Sequence, residues 1–286
     1  MGPVLTLYTL SGSPASSCSS ESQSGFAVLW APRPHTAVRF SLSNFLVDNI
    51  VVGLDIYVGS LTRYLAGDWE LVAQKVAREL GLEITVHRQH DPDDPIRNPD
   101  EIRPGVEKWR NGLSAALAAD LQAPLEWDES PSSKYFTDKP AWDGYAALIL
   151  WAAYEEQPDL GRPATAIEDW SDDPAYLACM RDDHQSRYSH LYDVGLWLPC
   201  DFRFVFQADF VTGAPMLVGS SRELAFQLDE LNRRTWAADA ATLSEWMKDG
   251  ADHGAPLDTS ARFAFAVFKF LADHSVADRL PMLMDS

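Results

Sequence analysis

The residues best equipped for chemistry fall in two clusters, and neither is complete. His87-Arg-Gln-His90 is followed at once by Asp91, Asp93 and Asp94, the densest run of metal-capable donors in the chain. Imidazoles and carboxylates together suit a divalent metal, and a metal-activated water would make such a site hydrolytic. That reading needs His87, His90 and Asp91 as its ligand set. The spacing works against it. If residues 83–87 run as a strand, side chains three apart point to opposite faces, and the helical His-Glu-x-x-His pattern, which puts both imidazoles on one face, is absent. A polar loop closed by Pro92, Pro95 and Pro99 accounts for the same residues without chemistry.

The second cluster is Arg181-Asp182-Asp183-His184, continued by Arg187, His190 and Asp193. On a helix running on from Pro174, His184 falls on the apolar stripe one turn from Arg187. This placement predicts a neutral core histidine hydrogen-bonded to a carboxylate. A general acid–base pair would need a nucleophile or a metal beside it, and the sequence nominates neither. Gly219-Ser220-Ser221 lacks the full pattern of a nucleophile elbow; Ser220 and Glu223 stand three apart, as in a helix-capping box. The 16 glycines never assemble into a phosphate loop or a dinucleotide fingerprint. Cys18, Cys179 and Cys200 are odd in number and widely spaced, which argues against a disulfide framework and a cysteine-based zinc site. The expectation is a protein with no cofactor and no bound metal, acting by binding rather than by turnover.

The elements that must position these residues read as a mixture of helices and short strands. Leu196-Trp-Leu198 and the alternating Phe202, Phe204 and Phe206 predict two strands with an aromatic face, and Val211-Thr-Gly-Ala-Pro215 a turn into a third strand at Met216–Gly219. Leu224, Leu228, Leu231 and Thr235 then form one helical face. Earlier, Val51–Val58 is a β-branched run, and Trp69, Val72, Val76 and Leu80 make a helical stripe between Asp68 and Gly81. Pro104 suits the first residue of a helix carrying Val106, Trp109, Leu113 and Leu117. Apolar residues around the whole circumference of 142–153 predict a helix buried between layers, as do Phe263, Phe265, Val267, Phe268, Phe270 and Leu271 near the C-terminus. Leu177, Met180, His184, Tyr188 and Leu191 align on a single helix if it starts at Asp173-Pro174 and continues. The fold class is α+β, short antiparallel strands packed by helices, with two subdomains, 1–135 and 136–286, meeting in the proline- and acid-rich stretch 124–140.

Forty-two acidic against 23 basic residues leave a net charge of −19 and a pI near 4.6. Such a field repels nucleic acid and anionic membrane surfaces. The charge is concentrated: Glu126–Asp183 holds 14 carboxylates against Lys134, Lys139, Arg162 and Arg181. A solvated face explains this, and so does a docking surface for a basic protein, for which Glu168, Asp169, Asp172, Asp173, Asp182 and Asp183 are the candidate contacts. A run of 18 apolar residues is absent, the N-terminal segment lacks the charge and length of a secretory leader, and the thiols have no pairing pattern, so a cytoplasmic protein is expected.

Trp142-Asp-Gly-Tyr145, Leu196-Trp-Leu-Pro199, Val218-Gly-Ser-Ser221 and Arg279-Leu-Pro-Met282 together resemble, as a class rather than a single family, uncharacterised bacterial immunity proteins that accompany polymorphic toxins. The resemblance covers about half the chain and contains no defining motif. It implies a cytosolic, acidic, non-enzymatic protein that occludes a toxin, often a basic one, and it carries over no functional residue. Two other classes are kept beside it, a metal-assisted hydrolase built on His87, His90 and Asp91, and an oligomeric scaffold.

Overall fold

A computed structural model describes residues 5–8, 54–79, 81, 84–87, 98–165, 169–181 and 183–285. It is an α+β fold in which six of the described strands form one mixed sheet. The sheet order is β4 (Phe136–Asp138), β2 (Asp55–Val58), β8 (Met282–Asp285), β5 (Leu196–Leu198), β7 (Pro215–Ser220) and β6 (Phe206–Asp209). A parallel pair, β1 (Leu5–Tyr8) with β3 (Ile84–His87), stands apart from it.

Neighbours in the large sheet are antiparallel except β5 and β7. That one parallel pair is an addition to the short antiparallel strands expected, and it has a simple cause. The chain leaves β5, forms the edge strand β6, and turns back at Gly213 (φ 88°) so that β7 lies between them, in the direction of β5. Of the three alternating phenylalanines only Phe206 enters the ladder. Phe202 and Phe204 sit in the extended connection, and the three rings pack against one another at 5.3–5.8 Å.

Both faces of the sheet are covered, which follows from strand alternation. Ile56, Val58, Trp197 and Met282 turn to a core shared with helices α4 (Trp142–Glu156), α6 (Ser221–Arg234) and α8 (Leu257–Asp278). Leu196, Leu198, Val218 and Leu283 turn the other way, toward Leu61 of α1 (Leu61–Ala66) and Val106 of α3 (Pro99–Ala116). The helix α4 is buried almost throughout, as its all-round apolar sequence predicts. A Cβ on Gly144 would lie 3.3 Å from the Ala264 methyl, so glycine permits α4 and α8 to approach closely here. Shorter helices α2 (Val72–Glu79), α5 (Pro174–Cys179) and α7 (Ala240–Asp249) complete the layers.

The division expected near residue 135 separates no two cores among the described residues. Strand β2, from the first half, pairs with β4 and β8 of the second, and Leu54, Ile56 and Val58 share one cluster with Tyr145, Trp197 and Phe268. The acidic stretch does supply a local fastening. The buried Glu129 carboxylate accepts from the Leu61 N–H (3.1 Å) and the Thr62 N–H (2.7 Å) at the start of α1, and from the Trp127 indole. Helix α3 begins five residues earlier than expected, at Pro99 with Asn98 as its cap, and Pro104 lies inside it. Either proline fits a first turn, and only the cap decides between them. None of the helices in the described residues is long and apolar enough to cross a membrane.

Candidate functional site

Among the described residues a dense polar constellation forms where α4 ends. The helix stops at Glu155 and Glu156, and the segment 183–194 folds back over them. The Glu156 side chain is 3% exposed, and its carboxylate is fully engaged. Oε1 accepts from the Ser186 hydroxyl (2.6 Å) and the Tyr192 hydroxyl (3.4 Å), while Oε2 faces His184 Nε2 (2.8 Å) and accepts from the Arg187 N–H (3.3 Å). Glu155 accepts from the Tyr188 hydroxyl (2.6 Å), Arg187 Nη2 (3.1 Å) and Arg234 Nη1 (3.5 Å). Cys179, at the end of α5, completes the group: the ligand atoms of Glu156, Cys179 and His184 all lie within 4.8 Å of one another.

These contacts explain why the long helix expected from Asp173 to Leu191 stops at Cys179. A continuing helix would carry Ser186, Arg187 and Tyr188 past the two glutamates, whereas the turns that replace it satisfy the Glu156 carboxylate, whose side chain is almost wholly enclosed, and add to the Arg234 contact of Glu155. His184 consequently sits on a loop with its side chain 30% exposed, not on a buried helical stripe. The carboxylate partner expected for it is present. Among the residues whose burial is described, the wholly buried histidine is His190, whose backbone N–H donates to Gln227 Oε1 (2.8 Å) and whose Nδ1 lies 3.2 Å from Gln227 Nε2. Burial pushes the His190 imidazole down to about 4.

A thiol, an imidazole and a carboxylate side by side resemble a nucleophilic triad in composition, but the electrostatics run the wrong way. Burial first and the Glu156 charge second push the Cys179 thiol up to about 11, whereas a cysteine nucleophile needs a stabilised thiolate. Two clefts of about 430 and 490 Å³ lie elsewhere. One is lined by Leu65, Ile102 and Val211 among others, the second by Asp193, Gln207 and Met216 among others, and neither is lined by a member of the cluster.

A second buried group crosses the sheet at β4, β2 and β8. Burial lifts the Asp55 carboxyl to about 6 against the pull of Lys139, and Asp285 beside it adds to the rise. Asp285 and Asp55 are direct cross-strand partners, and the Tyr64 hydroxyl donates to Asp285 (2.6 Å).

The acidic residues singled out from the sequence divide. Asp169 and Asp172 are exposed around the short 3-10 turn Trp170–Asp172, and neither forms an ion pair among the described residues. Asp183 is exposed and bridged to Arg181 at 2.7 Å. Asp173 is buried, which removes it from any docking surface. It caps α5 by accepting from the Ala175 N–H (2.8 Å) and the Tyr176 N–H (3.4 Å), and it takes the Tyr154 hydroxyl at 3.0 Å. Glu168 and Asp182 lie outside the described residues. Of the alternative metal set, His87 pairs with Tyr8 in the β1–β3 ladder, and His90 and Asp91 lie outside the described residues. Ser220 caps α6 from its side chain to the Glu223 N–H (3.3 Å), as its spacing predicts, and Ser221 accepts from Ser275 (2.6 Å).

Sequence reasoning found His184 but missed both of its neighbours. Glu156 looked like one acid among many, and Cys179 like an unpaired thiol. No family model matches the chain, and no curated protein or solved structure matches it.

Proposed function

We propose that the protein acts by binding, as an acidic partner that occludes a basic protein surface in the manner of an immunity protein against a toxin. The observation that carries this reading is the outer face of α5. Pro174, Leu177 and Met180 are spaced three apart and all exposed, Leu177 to 51% and Met180 to 43%. The exposed carboxylates of Asp169 and Asp172, which form no ion pair among the described residues, precede this stripe. An apolar strip edged by charge of one sign suits a partner whose own apolar contact is edged by lysine or arginine. The carboxylates raise the rate of encounter, and the apolar pair resists dissociation. Covering the exposed parts of Leu177 and Met180 is worth about 1 kcal/mol each. They are therefore the centre of an interface that must extend to about 800 Å² on each side.

The test takes the partner captured by the wild-type protein from cells that produce it. Association is then measured for wild type, for Asp169→Ser with Asp172→Ser, and for Leu177→Ser with Met180→Ser, each at two ionic strengths. The acidic pair should slow association and flatten its salt dependence; the apolar pair should speed dissociation. Co-expression with wild type should relieve any toxicity of the partner, and with the apolar variant relieve it less. Kinetics indifferent to both pairs would overturn the assignment of this face.

A further inference from the structure

We propose that Glu156, Cys179 and His184 form a binding site for a borderline-soft divalent metal ion of the zinc type. A carboxylate, a thiolate and an imidazole are the three donor kinds that zinc accepts, and three protein ligands with one position left over is the arrangement of an open zinc site. The donors come from the end of α4, the end of α5 and the returning loop, and lie within 4.8 Å of one another. Zinc bonds of about 2.0–2.3 Å in a tetrahedron hold ligand atoms roughly 3.3–3.6 Å apart. Relative to that, the 2.8 Å between Glu156 Oε2 and His184 Nε2 must open slightly, and the sulfur must swing inward by about an ångström. The sulfur is weakly held by the backbone and by Gln157, at 3.8 Å to the Ala153 carbonyl and 4.0 Å from Gln157 Nε2, and the Tyr192 hydroxyl beside it can donate to a thiolate.

The surroundings support the carboxylate in that role. Oε1 stays held by the hydroxyls of Ser186 and Tyr192 and Oε2 by the Arg187 N–H on one lone pair, which fixes the group and leaves the second lone pair of Oε2, now facing His184, for the metal, the outer-shell arrangement that orients a ligand. On binding, the Cys179 S–H bond breaks, a sulfur–metal bond forms and the proton passes to solvent. The thiolate and the carboxylate then carry two negative charges against the ion's two positive ones, so the enclosed site becomes neutral. His184 is the most exposed of the three and marks the side from which an ion arrives. The inference is independent of the α5 docking face, because metal and partner are assayed separately.

The experiment titrates the reduced full-length protein with Co²⁺. One equivalent should produce a near-ultraviolet thiolate-to-cobalt charge-transfer band that Zn²⁺ removes by displacement. Cys179→Ser should abolish the band, and Cys18→Ser with Cys200→Ser should leave it. His184→Ala, at a loop position where the side chain is 30% exposed, should weaken Co²⁺ by more than the roughly 10–100-fold that loss of an outer-shell partner costs. A folded wild-type protein with no such band at saturating cobalt, or a band that survives Cys179→Ser, would overturn the proposal and leave the cluster as a hydrogen-bonded latch.

Discussion

Two buried glutamates hold the chain together in chemically different ways, and an isosteric substitution distinguishes them. Glu129 receives only N–H groups: the Leu61 and Thr62 amides and the Trp127 indole. None of these donors can reverse. In Glu129→Gln the carboxamide must present its own NH2 to at least one of them, losing a bond to a charged acceptor and leaving a buried donor unsatisfied. The expected cost is about 3 kcal/mol. Glu156 receives the hydroxyls of Ser186 and Tyr192 on one oxygen, and on the other, which a carboxamide oxygen can replace, it meets the Arg187 N–H and His184 Nε2. Both hydroxyls can rotate and accept from a carboxamide nitrogen, while the remaining oxygen keeps the Arg187 amide. Glu156→Gln should therefore cost about 1 kcal/mol, the difference between charged and neutral acceptors. For a chain of this length each kcal/mol moves the melting temperature by roughly 2 °C. Calorimetry in the presence of a chelator, so that no metal contributes, should show Glu129→Gln melting about 6 °C below wild type and Glu156→Gln about 2 °C below. Equal shifts, or a larger one for Glu156→Gln, would refute the assignment of fixed and reversible donors.

Further outcomes follow from the buried ionisable groups and from the α5 cap. The Asp55 carboxyl is raised from 3.8 to about 6; the folded protein holds the proton more tightly, so stability from this group is present at low pH and is lost as pH rises from about 4 to 6. Asp55→Asn should accordingly gain on wild type by up to about 3 kcal/mol between pH 4 and pH 7; a pH-independent gap in melting temperature would refute this. His190 has the opposite sign: depressed from 6.5 to about 4, it favours the folded state above its unfolded value, and that stability is lost as pH falls from 6.5 towards 4. Its ring should stay neutral down to about pH 4 by NMR, and a midpoint near the ordinary 6.5 would contradict its burial. Asp173→Ala removes an acceptor shared by two amides and the Tyr154 hydroxyl, and should lower stability by about 2 kcal/mol; an unchanged denaturation midpoint would show that this cap is not needed.

What the sequence determined by itself lies within a few residues of chain. The α+β class, the capping of α6 by Ser220, the turn into β7 and the all-round burial of α4 follow from hydrophobic period, cap chemistry and turn residues, each complete within one or two turns of backbone. Tertiary structure decided the remainder. The apolar period of residues 177–191 permitted one long helix, but Glu155 and Glu156, partly buried at the end of α4, needed the hydroxyls and amide of 186–192, and the helix ends at Cys179. The same turn exchanged the roles of two histidines: His184 came to a half-exposed loop and His190 to the core. Sheet order was equally hidden, because β2 and β8 pair across more than 200 residues, and nothing in either strand names its partner. The Glu156–Cys179–His184 cluster belongs with these. Its donors come from three segments whose meeting depends on where one helix stops, and that is set by which buried charges must be satisfied.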